Sequence, residues 1–148
     1  MTESYAYDDQ SRRIRKTSGG VATHYLYDGD DLHAEWVGAF SGMPAAVYAH
    51  GAGIDAPILR LTGATNSPAA TQSAYLQDGL GSVIGTASAA GALTASQRFD
   101  AWGSKIAASG TVPTFGYTGR EPDATGLVFY RARYYHPGLG RFVSRDPA

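Results

Sequence analysis

Residues 116–148 read GYTGREPDATGLVFYRARYYHPGLGRFVSRDPA, and this stretch decides the fold class. It holds two strand candidates rich in aromatic residues and arginine, and a Pro137-Gly138 pair separates them. Aromatic residues favour strands, and a Pro-Gly pair favours a tight reversal of the chain. The stretch therefore predicts antiparallel β-hairpins.

Alternating and β-branched segments recur along the rest of the chain, and glycine-containing turns separate them. No segment has the apolar period that is typical of an amphipathic helix. We therefore predict an all-β fold, a meander of antiparallel hairpins. The strand candidates are residues 12–17, 23–27, 32–37, 45–50, 57–61, 73–77, 82–86, 93–100, 105–107, 127–135 and 141–143.

A weak internal repeat marks the first third of the chain. Tyr7-Asp8 is followed 20 residues later by Tyr27-Asp28, and a short polar turn and a strand candidate follow each pair. This spacing is within the range of stacked β-repeats, and we expect each aspartate to cap the amides of a turn. A polar loop at 62–71 separates the repeat-containing part, 1–61, from the rest, 72–148.

The composition makes several functions unexpected. The net charge of −1 gives no general attraction to nucleic acid or anionic membranes. No apolar run is long enough for a membrane span, and the N-terminus lacks the pattern of a signal peptide. Cysteine is absent, and four scattered histidines lack metal-ligand spacing, so we expect neither metal nor cofactor. They are His24, His33, His50 and His136.

Short motifs follow one another in a fixed order along the chain. After Tyr7-Asp8 and Tyr27-Asp28 come YLQDGLGSV at 75–83, RFDAWG at 98–103, FGYTG at 115–119, YRARYY at 130–135 and GRFVSRDP at 140–147. The order resembles that of the Rhs/YD-repeat proteins. It resembles specifically their Rhs repeat-associated core domain, here 72–148, preceded by YD-repeat-like hairpins, here 1–61.

The resemblance implies a structural role. In that family a curled or spiral sheet of YD repeats forms a β-shell around a C-terminal polymorphic toxin. It implies a non-catalytic encapsulating module whose partners are the toxin cargo and the preceding repeats, within a larger bacterial protein that is secreted or displayed on the cell surface. We also expect unpaired sheet edges, which would allow self-association.

The resemblance also implies an aspartyl autoprotease that releases the downstream toxin. Asp146 would be one catalytic carboxylate and Arg141 its supporting cation. The family pattern continues to a second aspartate, whereas the sequence given stops at Ala148. We therefore expect no autoproteolysis by this chain alone, and expect Asp146 to cap a turn before Pro147.

Two further interpretations stay open. A carbohydrate-binding surface could use Trp36, Tyr48 and Trp102, since aromatic rings stack on sugars, but strand aromatics are more often buried. The alternating Arg131, Arg133, Tyr134 and Tyr135 form the other candidate surface, along one strand. They would either line a cavity or pack within the sheet, and we favour packing.

Overall fold

The computed structural model describes residues 2–146 and is all-β. Two short 3-10 turns, Tyr117–Gly119 and Pro137–Leu139, interrupt the strands. The strands are β1 (Glu3–Tyr7), β2 (Arg13–Ser18), β3 (Val21–Asp28), β4 (Asp31–Val37), β5 (Ala46–His50), β6 (Pro57–Thr62), β7 (Thr71–Gln77), β8 (Val83–Ser88), β9 (Leu93–Phe99), β10 (Lys105–Gly110), β11 (Glu121–Pro122), β12 (Val128–Tyr130), β13 (Arg133–His136) and β14 (Arg141–Phe142).

The chain divides into two compact units, Met1–Ser73 and Ala74–Ala148. In the first, β1 to β6 are antiparallel neighbours in chain order. Its buried residues include Leu32 on β4 and Tyr48 on β5, each at most 3% exposed. The antiparallel meander that the sequence predicts is therefore confirmed.

The second unit holds two sheets. Strands β8, β9 and β10 are antiparallel neighbours, and β11 to β14 form a separate four-stranded sheet in chain order. Val83, Ala95, Phe115 and Phe129 are among its most buried apolar residues. The Pro137-Gly138 turn joins β13 to β14 as predicted.

One predicted strand is wrong. Residues 127–135 form a hairpin, β12 and β13, in which Tyr130 lies opposite Arg133. Arg131 takes a positive φ of 54° in the turn, so it does not alternate with Arg133 along one strand. No glycine, proline, asparagine or aspartate marks this turn. Pairing of Phe129 with Tyr134, whose rings lie 5.5 Å apart, accompanies the reversal.

Within residues 2–146, the same five-residue turn closes hairpins at five places. The N–H of the first residue donates to the carbonyl of the fifth, and the N–H of the fourth donates to the carbonyl of the first. The fourth residue always has a positive φ, which glycine accepts readily and which is unusual for the single serine among them. These turns begin at Asp8, Asp78, Ser88, Asp100 and Asp123.

The side chains of Asp8, Asp78 and Asp100 cap the turns that they begin. Oδ1 of Asp8, Asp78 and Asp100 accepts the N–H of the third and fifth turn residues at 2.9 or 3.0 Å. The predicted cap at Asp8 is therefore confirmed. Asp28 differs, because it lies opposite Asp31 across a two-residue turn and its carboxylate accepts no hydrogen bond from residues 2–146. Tyr-Asp therefore repeats in the sequence after 20 residues, but the two turns have different geometries.

Candidate functional site

A cluster of four aromatic rings covers the four-stranded sheet of the second unit. Tyr130, Tyr135 and Phe142 come from three successive strands, and their ring centroids lie 5.5 to 5.7 Å apart. The ring of Tyr117 stacks on Tyr135 at 6.5 Å with 17° between the planes. Edge-to-face and offset stacked pairs are the favoured geometries for such rings, so the cluster stabilises the packing of this sheet.

The phenol groups of this cluster bond inside the second unit. Tyr135 donates to the carbonyl of Trp102 at 2.8 Å, and the Tyr130 hydroxyl bonds to Thr118 Oγ1. Desolvation raises the pKa of Tyr130, and the neighbouring Tyr117 raises it further. Both groups therefore remain neutral hydrogen-bonding groups at physiological pH.

The structure places Asp146 beside Arg133. Arg133 Nη2 lies 3.1 Å from Asp146 Oδ2, while the guanidinium carbon lies 3.8 Å from the centroid of the Phe142 ring. Arg141 is exposed on β14 and makes no ion pair with any residue from 2 to 146. The cation next to Asp146 is therefore Arg133, which sequence spacing did not single out.

The turn expected at Asp146 involves Pro147, which lies outside the described residues. Asp146 is 71% exposed in its side chain, so water weakens its attraction to Arg133. The Phe142 ring also packs on the arginine, which favours one orientation of its guanidinium group. The arrangement places a single carboxylate near the end of β14. Within residues 2–146, it supplies no second carboxylate that could share a proton with Asp146.

Two buried arginines were not predicted from the sequence. Arg13 is 2% exposed and lies between the rings of Tyr5 and Tyr25, at 5.3 and 5.5 Å. Arg120 is 5% exposed, donates through Nε to the carbonyl of Phe129 and lies 3.3 Å from Glu121 Oε2. Buried charges need such partners. Glu121 is the chain neighbour of Arg120, whereas the folded sheets bring Tyr5 and Tyr25 to Arg13 and Phe129 to Arg120.

The proposed sugar-binding residues do not form one exposed surface. Tyr48 is only 2% exposed, so its ring cannot stack on a sugar, and this part of the expectation is wrong. Trp36 donates to the carbonyl of Gly42 and packs edge-on against Phe40. Trp102 is 62% exposed, but one edge of its indole packs closely over Gly140.

The four histidines lie on four different strands, β3, β4, β5 and β13. His50 Nε2 lies 2.9 Å from the carbonyl of Leu32, and its Nδ1 lies 3.7 Å from Asp31. Within residues 2–146, no group of three or more potential ligands could hold a metal ion. No helix in this part of the chain is long and apolar enough to cross a bilayer.

No protein-family model matches the chain. A tRNA3(Ser)-specific nuclease WapA from Bacillus spizizenii is 34% identical over 97% of this chain. This chain is homologous to a segment of WapA. It spans only 6% of that protein's length. Toxin subunit YenC1 of Yersinia entomophaga is 59% identical over 34 residues, 23% of this chain and 4% of that subunit.

Solved structures of toxin complexes contain the same fold. The crystal structure of TcdB2-TccC3 matches 98% of this chain with a TM-score of 0.75 and 22% identity. The matched region is 8% of that chain. A Photorhabdus luminescens Tc holotoxin pore structure matches equally well, with a TM-score of 0.75 over 99% of this chain. The all-β architecture is therefore that of a small part of much larger toxin proteins.

Proposed function

We propose that this chain is a non-catalytic wall segment of an Rhs-type β-shell. It would be the Rhs repeat-associated core domain with YD-repeat hairpins before it. The main support is the alignment with WapA, which covers 97% of this chain but 6% of WapA. A segment found within several long toxin proteins, and built of hairpins with buried polar links, suits a structural role better than a catalytic one.

The mechanism of such a module is steric. Each hairpin closes through its own turn, and successive hairpins bond in chain order within each unit. Further repeats would curl the sheet into a wall that separates a C-terminal toxin from the producing cell. The relatives come from Bacillus and Yersinia, which supports a bacterial protein that is exported as part of a larger polypeptide.

Protease protection tests this function in the natural gene product that contains the chain. Gly110→Ala should open the wall, because its Cβ would lie 2.2 Å from the Thr94 carbonyl oxygen in a backbone with φ of +71°. Gly91→Ala is the matched control, since its φ is +79° but nothing lies within 4 Å of the new Cβ. Both variants share the backbone strain, and only the first adds the clash.

We expect the C-terminal segment of the gene product to resist protease in the native protein and in Gly91→Ala. In Gly110→Ala it should be cleaved at least several times faster. Equal cleavage of that segment in all three proteins would refute the proposal. So would a gene product that has no further segment to enclose.

A second function, autoproteolysis in the longer polypeptide, is supported by one observation. Arg133, which packs on the Phe142 ring, lies 3.1 Å from the Asp146 carboxylate. Asp146 and Arg141 remain our predicted partial site, and Arg133 joins them as the positioning cation. Mass spectrometry of the longer product should find cleavage that Asp146→Asn abolishes. An intact longer product would exclude this function.

A further inference from the structure

The second unit contains an apolar pocket of about 400 Å³. This volume is within the range of ligand-binding pockets, which are typically apolar with a few polar groups. The rings of Phe99 and Tyr117, 5.9 Å apart, form part of its wall. Pro122, Val128 and Pro137 add further apolar surface, and two charged residues, Lys105 and the buried Asp123, also line it. The pocket therefore suits an apolar side chain, and Lys105 can pair with an acidic group beside that side chain.

Strand β10 begins at this pocket and has a free edge. Every residue of Lys105–Gly110 is exposed, and within residues 2–146 β9 is the only strand that pairs with it. In the same part of the chain, no hydrogen bond joins its outer N–H and C=O groups to another segment. Such an edge can accept a further strand.

Natural edge strands usually carry protection against such pairing. Lysines and β-bulges are two common forms, and β10 has both at its start, at Lys105 and in the register shift before Ala107. Beyond the bulge, the four residues Ala107–Gly110 are small and uncharged. A partner strand would therefore meet no bulky or charged side chain there. Protection is confined to the end that adjoins the pocket.

Lys105 is a cation at the pocket without a carboxylate partner. It makes no ion pair with any residue in the described part of the chain, although the buried Asp123 lines the same pocket. Desolvation lowers the pKa of its ammonium group. A carboxylate brought by a ligand would compensate this charge.

We propose that the pocket and the free edge of β10 together bind an extended segment of another polypeptide. An aromatic or large aliphatic side chain enters the pocket, and an adjacent acidic residue pairs with Lys105. The backbone of the segment pairs with Ala107–Gly110. This inference does not depend on the shell function, because it rests on the pocket and edge of this chain alone.

A panel of capped hexapeptides tests the proposal on the 148-residue chain. The background is alternating threonine and valine, one central position holds phenylalanine, leucine or alanine, and its neighbour holds glutamate, glutamine or lysine. Isotope-labelled protein reports binding through amide shifts of Ala107 and Ala108. We expect phenylalanine with glutamate to bind at least about tenfold more tightly than alanine with lysine.

Charge reversal and backbone blocking separate the parts of the site. Lys105→Glu should invert the preference, so that the lysine peptides bind more tightly than the glutamate peptides. Arg15→Glu is the matched control, because it makes the same charge change at an exposed position on β2 of the first unit. N-methylation of alternate peptide amides should abolish binding, because it removes the N–H groups that pair with the free edge of β10.

Three results would overturn the proposal. The first is the absence of amide shifts with any peptide of the panel at millimolar concentration. The second is an unchanged preference in Lys105→Glu. The third is sedimentation of the chain as a dimer whose β10 amides are protected from exchange, because a second copy would then occupy the edge.

Discussion

Replacing Gln97 tests how the second unit is held together. Gln97 on β9 is 1% exposed, and its Nε2 donates to the carbonyls of Val83 at 2.7 Å and of Phe115 at 3.0 Å. One amide therefore ties β9 to β8 and to the segment that precedes β11. Gln97→Leu keeps the side-chain size but leaves both buried carbonyls without this donor.

The magnitude follows from opposing contributions. A buried acceptor that loses its donor costs about 1–3 kcal/mol, so two of them cost roughly 2–6 kcal/mol. A buried leucine recovers about 1.5–3 kcal/mol relative to an exposed one, and it removes the Oε1 atom that has no hydrogen-bond partner among residues 2–146. We expect a net loss of about 2 kcal/mol in the free energy of unfolding.

Urea unfolding followed by tryptophan fluorescence measures this loss. In a Trp36→Phe background the remaining tryptophan is Trp102, which reports on the second unit alone. Gln97→Glu should be less stable than Gln97→Leu at pH 7, because an ionised carboxylate would face two carbonyl oxygens. It should recover as the pH falls and the carboxyl gains a proton. A Gln97→Leu protein within about 0.5 kcal/mol of the parent would refute this reasoning.

Three further predictions concern charged and titratable groups. The N–H of Ser104 donates to the Asp100 carboxylate and lowers its pKa. The ionised carboxylate therefore stabilises the fold at a pH above the pKa that Asp100 has in the unfolded chain, and this stabilisation is lost as the pH falls through its pKa in the folded chain. Asp100→Asn should reduce this loss of stability at acid pH, as measured by melting temperatures from pH 2 to 7. Arg120→Met should destabilise by about 3 kcal/mol in urea, because it leaves Glu121 buried and unpaired, and adding Glu121→Leu should recover much of the loss. Burial raises the pKa of Tyr130. The stability that its neutral phenol gives is present below the pKa of this tyrosine in the unfolded chain and should be lost as the pH rises through its pKa in the folded chain. Tyr130→Phe should remove this loss of stability at alkaline pH.

The strands were largely predictable because their signals are local. Alternation and turn glycines lie within a few residues, and the Pro137-Gly138 turn formed where expected. The turn at Arg131 carries no such signal, since it depends on pairing between the strands on either side. Strands β1 and β11 were also not expected, because short edge segments carry little alternation.

The candidate site was less predictable, because its contacts join residues that are distant in sequence. Arginine is usually exposed, and nothing near Arg13 in sequence places it between Tyr5 and Tyr25. The partner of Asp146 shows the same difficulty. Arg141 is five residues away in the chain, but the hairpin of β13 and β14 brings Arg133 to the carboxylate instead.

The five-residue turns have a consequence for how such chains change over evolution. Each is closed by hydrogen bonds among its own residues, so its geometry does not depend on which hairpin follows. Duplication or loss of one hairpin would therefore leave the neighbouring turns intact. A chain built in this way can gain or lose length in steps of one hairpin, so selection can adjust the number of strands in the sheet without changing the turns that remain.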